Sequence, residues 1–582
     1  MITIPPLSAV FAWQDMTDRY RIGSLGDQMP TITVEQEFLS TLVAASGHQH
    51  QIETLENELP LIGCDIDCCD EQVLEVEIFP DRPDMLSAET LAHTMIPFLH
   101  QAEPKPELDV IPGEITMVVE SEIAEIRPVI LAAVIRSVNL DDSAIKRLMD
   151  HQEKLHFSLG RRRRRASIGV HDLAKISPPF TVKAVNRAHS FIPLASSQTM
   201  TIEEILAEHT KGQEYAHLLD GMNMVPVIVD SEDKVLSFPP IINGDHTTVT
   251  NQTTDVLIDV TGWDQRSCEV SLLLICLQLQ HMGGQVESVE VQTTDAVPWS
   301  LDGSPIRHTI QREEVESLLG REFTDLQIVE AVRRMGGLCS VDGEQITMTL
   351  PRWRYDILHP VDLIEEIAIG HGYDDLGEVF ARTSLSGTPK ADGQLRRRIN
   401  SIMQGMGLMQ IQSLTLSSEE DQFQKMRWQA NGDITRIANP ITTEHTILRQ
   451  NILPGLLRLL SANRHHDLPQ AIYELGTVVI DHANHTRLAF AVAQRDGGFA
   501  ALRGKIQVLM RDLGCKEWSL RSISEGPWLG GRGAEILIGQ TVIGQCGEID
   551  PRVGEAFELK VPLTAADISI SAVNKVLTDP VH

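Results

Sequence analysis

RYDILHPVDLIEEIAIGHGY (residues 354–373) carries more of the architecture than any other stretch of the chain. Pro360 suits the first position of a helix. Asp362, Glu365 and Glu366 then fall at i, i+3 and i+4, on one helical face. Ile364, Ile367 and Ala368 lie toward the other face and can be buried. Asp356 arrives just before the helix. Upstream, 312–319 and 325–335 predict two short amphipathic helices, each ended by a glycine (Gly320, Gly336), and 338–341 and 345–350 predict a hairpin turned by Asp342-Gly343. Two helices and a small hairpin in this order describe a winged-helix-like unit over 303–380. Four carboxylates converging on one spot repel one another unless a cation sits among them, and hard oxygen ligands suit Mg²⁺. Acids in a first helical turn also stabilise the positive helix end by ~0.3–1 kcal/mol each. That accounts for two of them more easily than for four.

On the downstream side, 393–582 reads as one larger α/β domain with long helices at 395–406 and 453–463 and several strands. On the upstream side, Glu287, Glu290 and Asp295 lead to a boundary at Val297-Pro298, and 127–290 mixes strands (128–138, 256–261) with a helix at 143–155. Residues 104–112 read as a linker. Before it, 73–78 alternates apolar and acidic residues as a half-buried strand does, and Asp81-Arg82-Pro83-Asp84 turns into a helix capped by Ser87. Residues 31–35 lead into Phe38, Leu39, Leu42 and Val43 at helical spacing. The first 28 residues lack periodicity and read as a disordered extension or as an upstream start that is not used.

A chain of 582 residues is too long for one core and predicts three to five domains. Its hydrophobic (42%) and charged (22%) fractions are those of a water-soluble globular protein. No apolar run approaches the ~20 residues of a membrane helix, and no basic region precedes an apolar stretch, so a cytosolic protein is expected. The formal net charge of −32 argues against a surface coated in nucleic acid. One local exception is the run Arg161, Arg162, Arg163, Arg164 and Arg165, which calls for an anionic partner or open solvent. Of eight cysteines only Cys64, Cys68 and Cys69 cluster, with His48 and His50 upstream. Their spacing matches neither a zinc ribbon nor a CxxC pair, and buried small hydrophobes are the expectation. No P-loop, GxGxxG, HExxH or GxSxG is present, and no internal repeat is evident.

Two further constellations bear on chemistry. In SFPPIINGDHTT (237–248), Gly244 between Asn243 and Asp245 lets a ligand approach bare backbone. With Asp259 of the following strand, these polar groups can hold an amino acid and orient a hydrolytic water, although spacing alone favours a polar turn between strands. The arginine run continues into ASIGVHDL (166–173). His171 and Asp172 are adjacent on a predicted strand and point to opposite faces, which favours a structural role for the pair, with RNA phosphate contacts expected of the arginines.

Taken together and in order, RRRRASIGVHDL (162–173), SFPPIINGD (237–245), RYDILHPVDLIEEIAIGHGY (354–373), LPGLLRLLSANRHHDLPQAIYELG (453–476) and GEIDP (547–551) resemble the β subunits of archaeal and eukaryotic cytosolic phenylalanyl-tRNA synthetases. The match runs from about residue 29 to the end, and 80–92 and 529–533 also fit. Asp81, where the family usually has asparagine, is a departure that touches only a local turn. The resemblance implies an α+β multidomain chain. It would have a small N-terminal domain (29–105), a B3/B4 editing domain (113–295), a winged-helix-like B5 domain (303–380) and a class II synthetase-like antiparallel-sheet domain (390–582) without its own catalytic site. It further implies an α subunit that binds ATP and phenylalanine and charges tRNA(Phe) within an (αβ)₂ heterotetramer. Asp356, Asp362, Glu365 and Glu366 match the carboxylates assigned to a Mg²⁺ shared with that subunit. Editing would involve Asn243, Asp245 and Asp259, and the expected substrate is Tyr-tRNA(Phe). A hydrophobic pocket rejects an added hydroxyl only ~100-fold, so a second, hydrolytic site is needed. The rival readings are a stand-alone editing hydrolase and a non-catalytic tRNA-binding scaffold.

Overall fold

Residues 30–293, 297–378, 386–388 and 390–576 are described by a computed structural model. The expectations for the first 28 residues lie outside them. Contacts divide the chain into two units, one within 26–380 and one carried by 381–582.

The first unit begins with the β-branched run Thr31–Glu35 (β1), a strand that leads directly into the helix bearing Phe38, Leu39, Leu42 and Val43. It pairs antiparallel with Val73–Ile78 (β3), which also pairs with Cys64–Cys69 (β2). Helices Gln36–Ala45 (α1), Ile52–Glu58 (α2) and Ala88–His100 (α3) cover this sheet. Ser87 caps α3 in a reciprocal box with Thr90, as the sequence predicts. The turn before it is fixed by Arg82, whose guanidinium forks onto Asp84 (3.0 and 2.8 Å) and reaches the Ile62 carbonyl oxygen (3.1 Å). Both side chains are buried, and Asp81 beside them is exposed. Cys64 is buried and its thiol is pushed up to about 12 by burial.

Next come Val110–Val119 (β4), Val129–Arg136 (β5), Asp142–Phe157 (α4), Ala166–Asp172 (β6) and Phe180–Asn186 (β7). Met224–Val229 (β8), Val235–Phe238 (β9), Ile242–Asn243 (β10), Val256–Gly262 (β11), Gln265–His281 (α5) and Gln285–Thr293 (β12) follow. The nine strands form one sheet in the order β10-β9-β8-β7-β4-β12-β5-β11-β6. Strand β11 is flanked antiparallel by β5 and β6 and is buried along its whole length. One sheet face packs on α4 and α5 through residues such as Ile258, Val260, Leu272 and Ile275. The other holds a smaller apolar cluster around Leu257, Phe180 and Val289.

The winged-helix-like module is Ile306–Gln311 (β13), Arg312–Leu319 (α6), Asp325–Arg334 (α7), Leu338–Asp342 (β14), Gln345–Leu350 (β15) and Pro360–His371 (α8). The predicted hairpin is present, and β13 adds a third strand. The last turn of α7 is docked on the N-terminal module. The Arg334 guanidinium lies 4.3 Å from the centre of the Phe98 ring and donates to the carbonyl oxygens of Phe98 (3.3 Å) and Gly370 (2.9 Å).

In the second unit a seven-stranded, mainly antiparallel sheet is built on Gln470–Ile480, Ala483–Ala493, Trp518–Ile523, Trp528–Ile538, Thr541–Ile549 and Leu563–Ser569. Helix Leu453–Ala462 buries Leu453, Leu456, Leu457 and Leu460 against small residues of that sheet, Ala489, Ala491 and Ala565. Those leucines are core within this chain alone. No helix among the described residues is long and apolar enough to cross a membrane.

The Arg82–Asp84 fork has a pH signature. Burial alone would raise the Asp84 carboxyl, but the Arg82 charge and hydrogen bonds outweigh it and hold it at about 2. A carboxyl depressed on folding contributes stability that is present above its unfolded value near 4 and lost as pH falls toward 2. Asp84→Asn is therefore destabilised at neutral pH, and its deficit against the unmodified chain, measured by urea unfolding, narrows between pH 4 and pH 2.

Candidate functional site

The polar positions of β6 and β11 alternate. Ser167, Gly169 and His171 share one face of β6, and Asp259 and Thr261 share one face of β11. The register sets Asp259 opposite Gly169 and Thr261 opposite Ser167. The Asp259 carboxylate lies directly over Gly169, where an added Cβ would stand 2.0 Å from Oδ2. Asp259 Oδ2 meets His171 Nε2 at 2.7 Å, and His171 Nδ1 meets the Thr247 hydroxyl at 2.9 Å. Thr247 Oγ1 is also 2.9 Å from the Gly244 carbonyl oxygen. All three side chains are at most 1% exposed. A threonine–histidine–aspartate chain is thus built into the sheet.

Arg127 completes this floor. Its Nε donates to the Thr261 hydroxyl (2.7 Å), and Nη2 donates to Ser167 Oγ (3.0 Å) and to the Thr261 carbonyl oxygen (2.7 Å). Burial lowers its pKa to about 10, so it stays charged at neutral pH and balances Asp259 nearby. At the rim stand Asn243, Asp245 and His246, each half-buried. Asn243 Oδ1 accepts from Ser237 Oγ (3.4 Å), and Asp245 Oδ1 accepts from the Ala195 N–H (3.1 Å), which makes Asp245 a brace of the loop. The His246 ring lies against Gly244, and its Nε2 is buried without a hydrogen-bond partner among the described residues. Burial lowers the His246 pKa below 6.5, so the ring is neutral at neutral pH.

The structure brings Asp259 together with the 243–248 loop. The residue that joins them, His171, has its sequence neighbour Asp172 turned the other way, toward Thr253 Oγ1 (2.9 Å). In the sequence, His246 and Thr247 belong to the polar turn without roles of their own, His171 reads as structural, and nothing marks Arg127. The alternating polar positions in two otherwise apolar strands are the signal that points to His171.

The carboxylate set is arranged differently from the expectation. Arg354 forks onto Asp356 (2.9 and 2.5 Å) and onto Glu366 (2.8 and 2.6 Å), and so neutralises two of the four itself. Asp362 Oδ2 accepts the backbone N–H groups of Leu358 (2.7 Å) and His359 (2.6 Å), in the role of a helix cap. Glu365 is exposed. Among the described residues no group of three or more His, Cys, Asp or Glu is placed to hold a metal ion. The four carboxylates of this chain therefore do not by themselves fit Mg²⁺, because a guanidinium occupies the position between two of them.

In the arginine run, Arg161, Arg162 and Arg164 are exposed and Arg165 is half-buried, whereas Arg163 is only 8% exposed and turns into the protein. It is unavailable to RNA.

Glu366→Gln is expected to leave Arg354 half-paired in a buried site, at a cost of about 3 kcal/mol. Hydrogen exchange of α8 amides in the full chain then accelerates roughly a hundredfold. That acceleration is the same with Mg²⁺ and with chelator.

Residues 114–272, which contain the Thr247–His171–Asp259 chain, match the B3/4 domain family. Residues 308–373 match the tRNA synthetase B5 domain, and 378–570 match the phenylalanyl tRNA synthetase beta chain CLM domain. The chain is 38% identical over 546 residues to a phenylalanine–tRNA ligase beta subunit of Archaeoglobus fulgidus, covering 94% of this chain and 98% of that one. It is 36% identical over 547 residues to one of Methanococcoides burtonii, covering 93% and 100%. An N-terminal fragment of the phenylalanyl-tRNA synthetase beta-subunit from Pyrococcus horikoshii superposes with a TM-score of 0.56 at 31% identity, over 59% of this chain and all of the fragment.

Proposed function

Because this chain belongs to the family of phenylalanine–tRNA ligase beta subunits, we propose that it serves an α subunit in ATP-dependent charging of tRNA(Phe) and hydrolyses Tyr-tRNA(Phe) in its B3/4 domain. The observation that carries the hydrolytic part is the buried Thr247–His171–Asp259 chain beneath a rim that holds the His246 imidazole, whose Nε2 has no hydrogen-bond partner among the described residues.

A site that hydrogen-bonds a substrate hydroxyl rejects the analogue lacking it by far more than an apolar pocket can. The buried Thr247 hydroxyl donates to the Gly244 carbonyl oxygen and, with His171 and Asp259, fixes the floor, which leaves the half-buried Asn243 at the rim to meet a phenolic oxygen. His246, neutral at neutral pH, is the group suited to take a proton from the attacking water. That proton returns to the ribose hydroxyl as the ester C–O bond breaks, giving tyrosine and free tRNA. Asp245 holds the loop and touches no reacting atom in this scheme. The exposed Arg161 and Arg162 face solvent near the same domain and suit RNA phosphates. Asp362 and Glu365 are the two carboxylates left near the surface for a cation whose site an α subunit would complete. The α partner, the (αβ)₂ assembly and a cytoplasmic site of action come from the family reading.

Two measurements test this. Phenylalanine charging, assayed with the chain alone and with an α subunit from the same genome, is expected only in the mixture. Charging by neither, with a folded α partner, would move the assignment to a stand-alone hydrolase or scaffold. In the reconstituted enzyme, His246→Ala is expected to slow Tyr-tRNA(Phe) hydrolysis roughly a hundredfold. The unmodified enzyme should lose hydrolysis only as pH falls below 6.5, because a base with a lowered pKa protonates late.

A second pair of substitutions separates binding from chemistry. Replacing Arg161 and Arg162 together by Gln should raise KM for the tRNA and flatten its salt dependence, with kcat unchanged. A fall in kcat alone would remove these arginines from the RNA-binding role.

A further inference from the structure

Arg161, Arg162 and Arg163 form one turn of left-handed backbone, with φ of 47°, 54° and 64°. Such a run is unfavourable for residues with a Cβ and persists only where its surroundings impose it. Gly160 at its start has no room for a side chain: a Cβ would stand 2.5 Å from the Ala166 carbonyl oxygen and 2.6 Å from that of His156. Hydrogen bonds from Arg163 N to the His156 carbonyl oxygen (3.2 Å) and from Arg165 N to that of Gly160 (2.8 Å) close the turn.

The turn divides its side chains. Arg161 and Arg162 are exposed, and Arg163 enters the protein. Its Nη1 donates to the carbonyl oxygens of Ile241 (2.9 Å) and Pro240 (3.3 Å), and its Nη2 donates to Glu153 Oε1 (2.7 Å). The guanidinium also lies 4.4 Å from the centre of the Tyr215 ring. The segment it grips contains Pro239 and Pro240, which lack N–H groups with which to anchor themselves. Asn243 follows two residues after Ile241, and Thr247 six. The opposite wall is tied to the same turn, because the Arg163 carbonyl oxygen accepts from Arg127 Nη2 (3.2 Å), the group that also holds Ser167 and Thr261.

We infer that Arg163 is a positioning residue for the hydrolytic pocket, a strut that holds the 240–248 loop against the strands bearing His171 and Asp259. Its link to hydrolysis rests on the editing function proposed above, whereas its effect on the loop does not. A guanidinium suits the task because its planar fork reaches two carbonyls and a carboxylate at once, which a lysine ammonium cannot do with the same geometry.

The test is Arg163→Lys in the full chain, with and without an α subunit. Backbone N–H groups of Gly244, Asp245 and Thr247, bonded to the carbonyl oxygens of Leu236, Ile192 and Gly244, report on the loop by hydrogen exchange. Exchange across 241–248 is expected to rise roughly tenfold, with the amides of β5 and β11 unchanged. In the reconstituted enzyme kcat for Tyr-tRNA(Phe) hydrolysis should fall by roughly the same factor, while KM for tRNA and the rate of phenylalanine charging hold. Unchanged loop exchange overturns the strut, and so does a rise in KM alone, which would make Arg163 an RNA contact. If the unmodified enzyme leaves Tyr-tRNA(Phe) intact while Arg163→Lys loosens the loop, editing falls and the strut stands. Should the lysine variant fold poorly, Glu153→Gln keeps the guanidinium and removes its counter-charge, and the same loop amides then rise by a smaller factor or the strut is overturned.

Discussion

The register of Val256–Gly262 between its two neighbours is the constraint on which the rest of the site depends. A strand buried on both faces can be slipped by one residue only by exchanging all of its side chains between those faces. Such a slip would send Asp259 into the apolar layer beneath α4 and α5 and deliver Ile258 to the polar floor. Gly169 makes the observed register possible, because any larger residue there would occupy the volume of the Asp259 carboxylate. Once Asp259 is placed, His171 is within reach of it, Thr247 is within reach of His171, and Arg127 supplies the charge that a buried carboxylate requires.

What was legible in the sequence was local. The Ser87 cap, the helices at 312–319 and 453–463 and the Asp342-Gly343 hairpin depend on neighbours within a few residues, and the structure has them all. The spacing of Phe38, Leu39, Leu42 and Val43 marks the helix that follows Glu35, whereas the strand Thr31–Glu35 before it depends on pairing with β3, distant in sequence. The carboxylates of 356–366 do gather near one helix, but Arg354 stands two residues from Asp356 in sequence and between Asp356 and Glu366 in space, which spacing alone does not reveal. Five consecutive arginines look alike in a sequence. Only the left-handed turn distinguishes Arg163 from its neighbours, and three successive residues in that conformation have no compositional signal short of glycine or asparagine.

An acidic chain with a formal charge of −32 keeps several of its arginines inside. Arg82, Arg127, Arg163, Arg354 and Arg449 are each less than a tenth exposed, and each joins segments distant in sequence. The planar, delocalised guanidinium is more weakly hydrated than an ammonium, and its fork can meet several carbonyls and carboxylates at once. In this fold arginine acts as an internal cross-link at least as much as a surface charge, and a positive residue in the sequence is weak evidence for an RNA contact until its direction is known.

The docked end of α7 changes what the winged-helix-like module can be. Modules built on paired helices read nucleic acid when the second helix is free to enter a groove. Here Arg334 pins that helix to Phe98 of the neighbouring module, and residues 303–380 carry seven arginines against fifteen acidic side chains. A phosphate backbone would meet like charge over most of this surface. The fold therefore serves in this chain as a bracket: Arg334 ties it to the N-terminal module, and Arg266 of α5 donates to its Tyr355 and Ile357 carbonyl oxygens (2.8 Å each).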